Sequence, residues 1–201
     1  MELWQYEQQA LNAGHTLICG CDEAGAGPLA GPVYAAAVIL PFGVEIPGLN
    51  DSKKLTEKKR EALFPVVKER ATAWAVAFVD AAEIDATDIL SARMKAMQLA
   101  IDALEEKVDF ALIDGNRDHG KTAAITTPHQ CIVKGDSLSA SIAAASILAK
   151  VSRDHHMLDL AQQYPEYQFE KHKGYPTKAH YEALRQHGPS PIHRRTFLKN
   201  L

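Results

Sequence analysis

No apolar run in the chain approaches a membrane span. The first residues, Met1-Glu2-Leu3-Trp4-Gln5-Tyr6-Glu7, lack the basic-then-apolar layout of a signal peptide. Cysteine is scarce: three residues, an odd count, fit reduced thiols in a cytoplasm better than a disulfide framework. There is no internal repeat, low-complexity tract or long linker. Positive charge is not in excess either, since the formal net charge is −3, which does not by itself announce a nucleic-acid binder. What remains is ordinary globular material, 46% hydrophobic and 23% charged, which argues against disorder and coiled coil. At 201 residues, a single domain with one substantial core is the default expectation.

The distribution of charge says more than its sum. Residues 171–201 hold seven Lys/Arg against the single acid Glu182, while the rest of the chain carries 15 basic and 24 acidic residues. Four of the nine histidines also fall in that end. A basic end on an acidic body hints at a polyanion partner, with a merely solvated surface helix as the alternative.

Hydrophobic patterning predicts a strand over 16–22, running into Asp22-Glu23, and an antiparallel neighbour over 32–40, stopped by Pro41. A helix is expected near 56–69, capped by Thr56 and with Lys58, Lys59 and Arg60 facing water. Residues 72–79 alternate as a third strand. A helix follows from about Asp85 to Glu106, with Ile89, Leu90, Met94, Met97, Ile101 and Leu104 at helical spacing. Phe110-Ala111-Leu112-Ile113 reads as a buried strand ending at Asp114, and Cys131-Ile132-Val133 as another ending at Lys134-Gly135-Asp136. The Ala- and Ser-rich run 137–151 is a helix suited to close packing, which 155–163 can extend. Residues 177–187 form a separate amphipathic helix. Strands first, then strands alternating with helices, point to an α/β layer with a mixed sheet.

Three of these strands end in acid. Adjacent carboxylates at Asp22-Glu23 repel each other unless a cation sits between them, and oxygen ligands suit magnesium or manganese. The glycines that follow, in Gly25-Ala26-Gly27, allow a backbone to approach a ligand closely, so metal and loop together suggest phosphate chemistry. In a mixed sheet the ends carrying Asp22, Glu23, Asp114 and Asp136 can converge, and four carboxylates can hold two ions about 3.5–4 Å apart. Each acid also has a plainer reading. Asp136-Ser137 can cap the helix that follows, and Asp114-Gly115-Asn116 can be an ordinary turn.

The ordered series DEAGAGPLAGPV, DSKKL, LIDGN, KGDS followed by SIAAASILAKVSRD, and HKGYPT resembles bacterial ribonuclease HII, the type 2 ribonuclease H family. The match runs from about residue 15 to the HRRTF segment at 193–197. The resemblance implies a ribonuclease H-like α/β fold with a central mixed five-stranded sheet flanked by helices. It also implies one domain over 1–201, in which 155–201 is a helical, basic C-terminal segment. It further implies metal-dependent endonucleolysis of RNA within RNA–DNA hybrids and 5′ to single ribonucleotides in duplex DNA, leaving a 3′-hydroxyl and a 5′-phosphate. Carried over by motif, Asp22, Glu23 and Asp114 are the main metal ligands and Asp136 is the fourth acid, serving Mn2+ or Mg2+. Tyr175, in HKGYPT, is expected to pack on the sugar of the deoxynucleotide after the ribonucleotide. Lys53, Lys54 and Lys173 are candidate phosphate contacts. A cytoplasmic monomer without membrane association completes this expectation.

One position departs from the family pattern. Where the family usually has Gly-Arg-Gly, this chain has Gly25-Ala26-Gly27. In the family the 2′-hydroxyl is read chiefly by the backbone of that tripeptide, which alanine preserves, but the donor fork of arginine is absent. The expectation is weakened substrate binding with the 2′-hydroxyl preference retained. Two other readings stay open: another carboxylate nuclease of the same fold, such as a junction resolvase, and a silent binder of RNA–DNA hybrids. Cys19, Cys21 and Cys131 do not make a zinc site and read as buried strand thiols. His155-His156 reads as helix surface, and His193-Arg194-Arg195 as a phosphate-facing tail or a solvated end.

Overall fold

The computed structural model describes residues 2–50 and 52–198, so Asp51 of the DSKKL motif and residues 199–201 lie outside it. In chain order the elements are α1 (Gln5–Asn12), β1 (Ile18–Ala24), β2 (Val33–Ile39), α2 (Glu57–Arg70), β3 (Ala73–Val79), α3 (Ala81–Ala86), α4 (Ile89–Asp102), β4 (Phe110–Asp114), β5 (His129–Ile132), α5 (Ala140–Gln163), α6 (Phe169–His172) and α7 (Lys178–His187). The strands form one five-stranded sheet in the order β3-β2-β1-β4-β5. The β1–β2 and β2–β3 pairs are antiparallel, whereas β4 lies parallel to both β1 and β5. The expected mixed sheet is therefore observed.

Side chains alternate across a strand, so each face of the sheet has its own residues. On one face Cys19, Cys21, Ala35 and Ala37 pack with Met94, Ala96, Met97 and Ala100 of α4. On the other, Ala36 and Val38 meet Ala144, Ala145 and Leu148 of α5, with Leu63 and Val67 of α2 behind them. Both faces are covered, which is why every residue of β2 is buried. The small side chains of α5 let that helix lie close to β1. At Gly20 the approach is so tight that a Cβ would run into the backbone at Ser141 and Ile142.

Several boundaries differ from the pattern-based reading. The helix expected over 85–106 is two helices, α3 and α4. Asp88 breaks it by accepting the Ser91 amide at 3.0 Å as the N-cap of α4. The runs 137–151 and 155–163 are one continuous helix, α5, whose N-cap is Ser139, accepting from the Ile142 amide at 3.2 Å. Asp136-Ser137 does not cap it and forms a 3-10 turn over Gly135–Ser137. Position 155 therefore falls inside a helix. Arg60 does not simply face water: it donates to the carbonyls of Ser52 (2.9 Å) and Leu55 (2.6 Å), tying the Lys53-Lys54 turn to α2. Helix α1 was not anticipated. Its buried Glu7 accepts from the Ser139 hydroxyl at 2.6 Å and the Ser141 amide at 3.0 Å, adding a second acceptor to the start of α5.

Candidate active site

Asp22 and Glu23 lie inside β1, not at its end, so their side chains leave opposite faces of the sheet. Asp22 is on the α5 face, and parallel pairing puts Asp114 on that same face, because Cys21 faces Ile113 one residue earlier. Asp136 arrives from the turn after β5. Lys134 adopts a left-handed conformation (φ 59°), and the amide of Asp136 then donates to Asp114 Oδ1 at 3.3 Å. One oxygen from each of Asp22, Asp114 and Asp136 lies within 4.8 Å of the others. Three acids separated by up to 114 positions are thus gathered, and the plain-turn and helix-cap readings of Asp114 and Asp136 give way.

Glu23 stands apart. On the α4 face its Oε1 accepts from Arg93 Nη2 at 2.6 Å, while its Oε2 is buried without a partner among the described residues. Burial raises its pKa, against the pull of Arg93 and with Asp114 adding to the rise. Asp22 is 2% exposed and accepts from the Glu23 amide at 2.7 Å. Burial, then the charges of Glu23 and Asp114, push its pKa well up. Such a site penalises its own negative charge. The triad is built entirely of hard oxygen donors, and Glu23, next in the chain to Asp22, adds a buried carboxylate oxygen with no partner among the described residues. That is what a divalent cation requires, so these residues fit one and could hold it.

Lys53 reaches Asp136 Oδ2 at 3.4 Å. Burial works against its charge, but Asp22, Asp136 and Asp114 outweigh that, and its pKa is raised. Lys53 and Lys54 line a hollow of about 340 Å³ together with Asp114, Lys134, Asp136 and Ser137. Lys173 is not gathered with them, because its ammonium turns back to the Glu170 carbonyl at 2.6 Å. Tyr175 is 37% exposed, with Lys150 Nζ and the Arg153 guanidinium carbon each 5.6 Å from its ring centre. Both cations lie within cation–π range of the ring.

The loop after β1 is held from below by two arginines that are fully buried. Arg194 donates to the carbonyls of Gly25 (2.7 Å), Ala26 (2.9 Å) and Gly31 (3.0 Å). Arg153 donates to those of Pro32 (3.0 Å), Ala30 (3.2 Å) and Lys173 (3.1 Å). Gly25 has φ +94°, and a side chain there would collide with Arg153, so only glycine serves. The sequence reading missed Arg93, Arg153 and Arg194. It took the His193-Arg194 segment for a tail or a solvated end, yet His193 is 2% exposed and Arg194 is 0%. Of that trio only Arg195 is exposed. His155 is helix surface as expected and His156 is half-buried. Cys19 and Cys21 are buried free thiols, whereas Cys131 is only partly buried.

The family model described as Ribonuclease HII matches residues 19–200. The ribonuclease HII of Dechloromonas aromatica (strain RCB) is 59% identical over 181 residues, covering 90% of each chain. That of Idiomarina loihiensis is 56% identical, covering 90% of this chain and 95% of its own. Among solved structures, the ribonuclease H2 from Pyrococcus horikoshii OT3 superposes with a TM-score of 0.73 at 28% identity, covering 90% of this chain and 93% of that one. With nearly the whole chain matched and Asp22, Asp114 and Asp136 brought together, this chain belongs to the ribonuclease HII family.

Proposed function

We propose that the chain is a metal-dependent endoribonuclease. It cleaves the RNA strand of RNA–DNA hybrids and the phosphodiester 5′ to a single ribonucleotide embedded in duplex DNA, leaving a 3′-hydroxyl and a 5′-phosphate. In this way it begins ribonucleotide excision. The observation that carries the reading is the gathering of Asp22, Asp114 and Asp136 within 4.8 Å of one another, in a chain of this family. Glu23 completes the set of four acids: it leaves the opposite face, beside Arg93, and its Oε2 has no partner among the described residues. We assign these four as catalytic and metal-holding residues for Mn2+ or Mg2+, which prefer such oxygen donors. A divalent cation bound there supplies Lewis acidity toward the water and the leaving oxygen.

The protein's own groups account for the rest. Lys53, beside Asp136, and Lys54 add positive charge where a phosphate enters, and Lys173 is the weaker candidate for a phosphate contact. The Gly25-Ala26-Gly27 backbone reads the 2′-hydroxyl. A peptide unit is planar and trans, so its N–H and C=O point in opposite directions. With the carbonyls of Gly25 and Ala26 drawn to Arg194, the amides of Ala26 and Gly27 aim away from the core, where a hydroxyl can accept them. Tyr175 packs on the next sugar. We place all of this in one ribonuclease H-like domain, with 155–201 as its helical basic segment, acting as a cytoplasmic monomer. The three free cysteines suit a reducing compartment, and no helix among the described residues is long and apolar enough to cross a membrane.

Cleavage of three labelled duplexes tests the reading: one with a single ribonucleotide in DNA, one all-DNA and one all-RNA. We expect a cut 5′ to the ribonucleotide, abolished by chelator and restored by Mg2+ or Mn2+. Equal cutting of all-DNA would point instead to another carboxylate nuclease. Binding of the hybrid without any cutting would point to a silent binder.

A further inference from the structure

We propose that His193-Arg194 is a positioning element that holds the 2′-hydroxyl-reading loop and Tyr175 at a fixed spacing, and so sets the preference for an embedded ribonucleotide over a continuous hybrid. The inference rests on the roles given above to the 25–27 loop and Tyr175. Arg194 is the link to the loop, through three carbonyls and through its own amide, which donates to the Leu29 carbonyl at 2.8 Å.

His193 is the link to Tyr175. Its Nε2 lies 3.0 Å from Nε2 of His180, whose Nδ1 lies 3.0 Å from the Tyr175 carbonyl. The Tyr175 carbonyl can only accept, so His180 Nδ1 carries the hydrogen and His180 Nε2 is left as an acceptor. His193 Nε2 therefore donates to it. His193 Nδ1 is then an acceptor, and it receives the Ser190 amide at 3.0 Å and the Ser190 hydroxyl at 2.8 Å. Every ring nitrogen in this relay has one permitted role. The relay is also dry: His180 is 0% exposed and His193 2%.

Two further contacts make the spacing stiff. The Leu29 amide donates directly to the Gly174 carbonyl at 2.9 Å, next to Tyr175. Gly174 packs so close that a Cβ there would sit 2.5 Å from the Ala30 carbonyl oxygen. The segment is in turn pinned to the body by Asp85 of α3, which accepts from the amides of Arg195 (2.6 Å) and Thr196 (3.0 Å). One dipeptide thus holds the loop directly, through Arg194, and Tyr175 through the His193–His180 pair, and these are the groups that must straddle adjacent nucleotides.

The test compares Arg194→Lys, His193→Phe and His193→Gln with the unaltered protein. It uses kcat/KM on an embedded ribonucleotide divided by kcat/KM on an RNA–DNA hybrid. Loss of folded protein lowers both values equally and leaves the quotient alone, whereas loss of spacing lowers the quotient. We expect a drop of about fivefold or more for Arg194→Lys and His193→Phe. His193→Gln keeps a donor toward His180 and recovers part of that drop. Hydrogen exchange provides the second readout: His193→Phe should expose amides in both 25–32 and 172–177 while β1 and β4 stay protected. An unchanged quotient in soluble, folded variants, or exchange confined to one segment, overturns the proposal. If the unaltered protein cuts neither substrate, the nuclease reading itself fails and this inference falls with it. If it cuts both and the variants keep its quotient, only this inference fails.

Discussion

Replacing Asp22 by Asn should make the metal-free protein more stable while abolishing cleavage. Asp22 is 2% exposed, and its carboxylate belongs to a triad whose oxygens lie within 4.8 Å of one another. Two unit charges at that separation repel by about 3.5 kcal/mol at an effective dielectric of ~20. Lys53 offsets part of this, and asparagine retains an oxygen for the Glu23 amide that Asp22 now accepts at 2.7 Å. The net gain is therefore about 1–3 kcal/mol, or roughly 3–10 °C in melting temperature for a chain of this size. Thermal and urea unfolding at neutral pH, in chelator, would measure it. Added Mg2+ or Mn2+ should then stabilise the original protein more than the variant, because only the former keeps its full set of ligands. If the variant is less stable in chelator, the carboxylates are a structural hydrogen-bonded network and the reasoning about a cation-requiring site is wrong.

Three other outcomes follow from the same geometry. Ala26→Arg should lower KM on a ribonucleotide-containing duplex several-fold and leave its preference over all-DNA unchanged, since Arg194 already orients the backbone; steady-state kinetics on both duplexes would show it. Gly25→Ala should cost about 2–4 kcal/mol by urea midpoint, because alanine at φ +94° is strained and collides with Arg153. Burial, and then His180, push the His193 pKa down from 6.5 to about 4. The unfolded chain therefore takes up that proton first: the stability is fully present above pH 6.5 and is lost as pH falls toward 4. The loss is about 3 kcal/mol, which His193→Gln should remove from a stability-versus-pH curve.

The sheet and the gathering of acids were legible because both rest on local signals. Short apolar runs marked four of the strands and alternation marked 72–79, while Thr56 and Thr177 at helix starts do accept from the amides of Lys59 and His180. Elsewhere the pattern misled. The apolar spacing of 89–101 carries backward across Thr87-Asp88, so periodicity alone joins two helices that the Asp88 cap separates. Asp22 and Glu23 were treated as a pair although one step along a strand reverses the face, which is why Glu23 meets Arg93 and not Asp136. Arg194 was illegible for a different reason. Its partners are backbone carbonyls, which leave no mark on sequence, so a buried arginine among basic neighbours looks like a solvated end.

The central claim is that acids from two strands and from the turn after a third form one cage for a divalent cation. Calorimetric titration of Mn2+ into chelator-stripped protein tests it most directly, with Asp114→Asn and Asp136→Asn alongside. The account predicts saturable binding that weakens at least tenfold in each variant. Binding of equal strength in all three proteins, or none in the unaltered one, would contradict it.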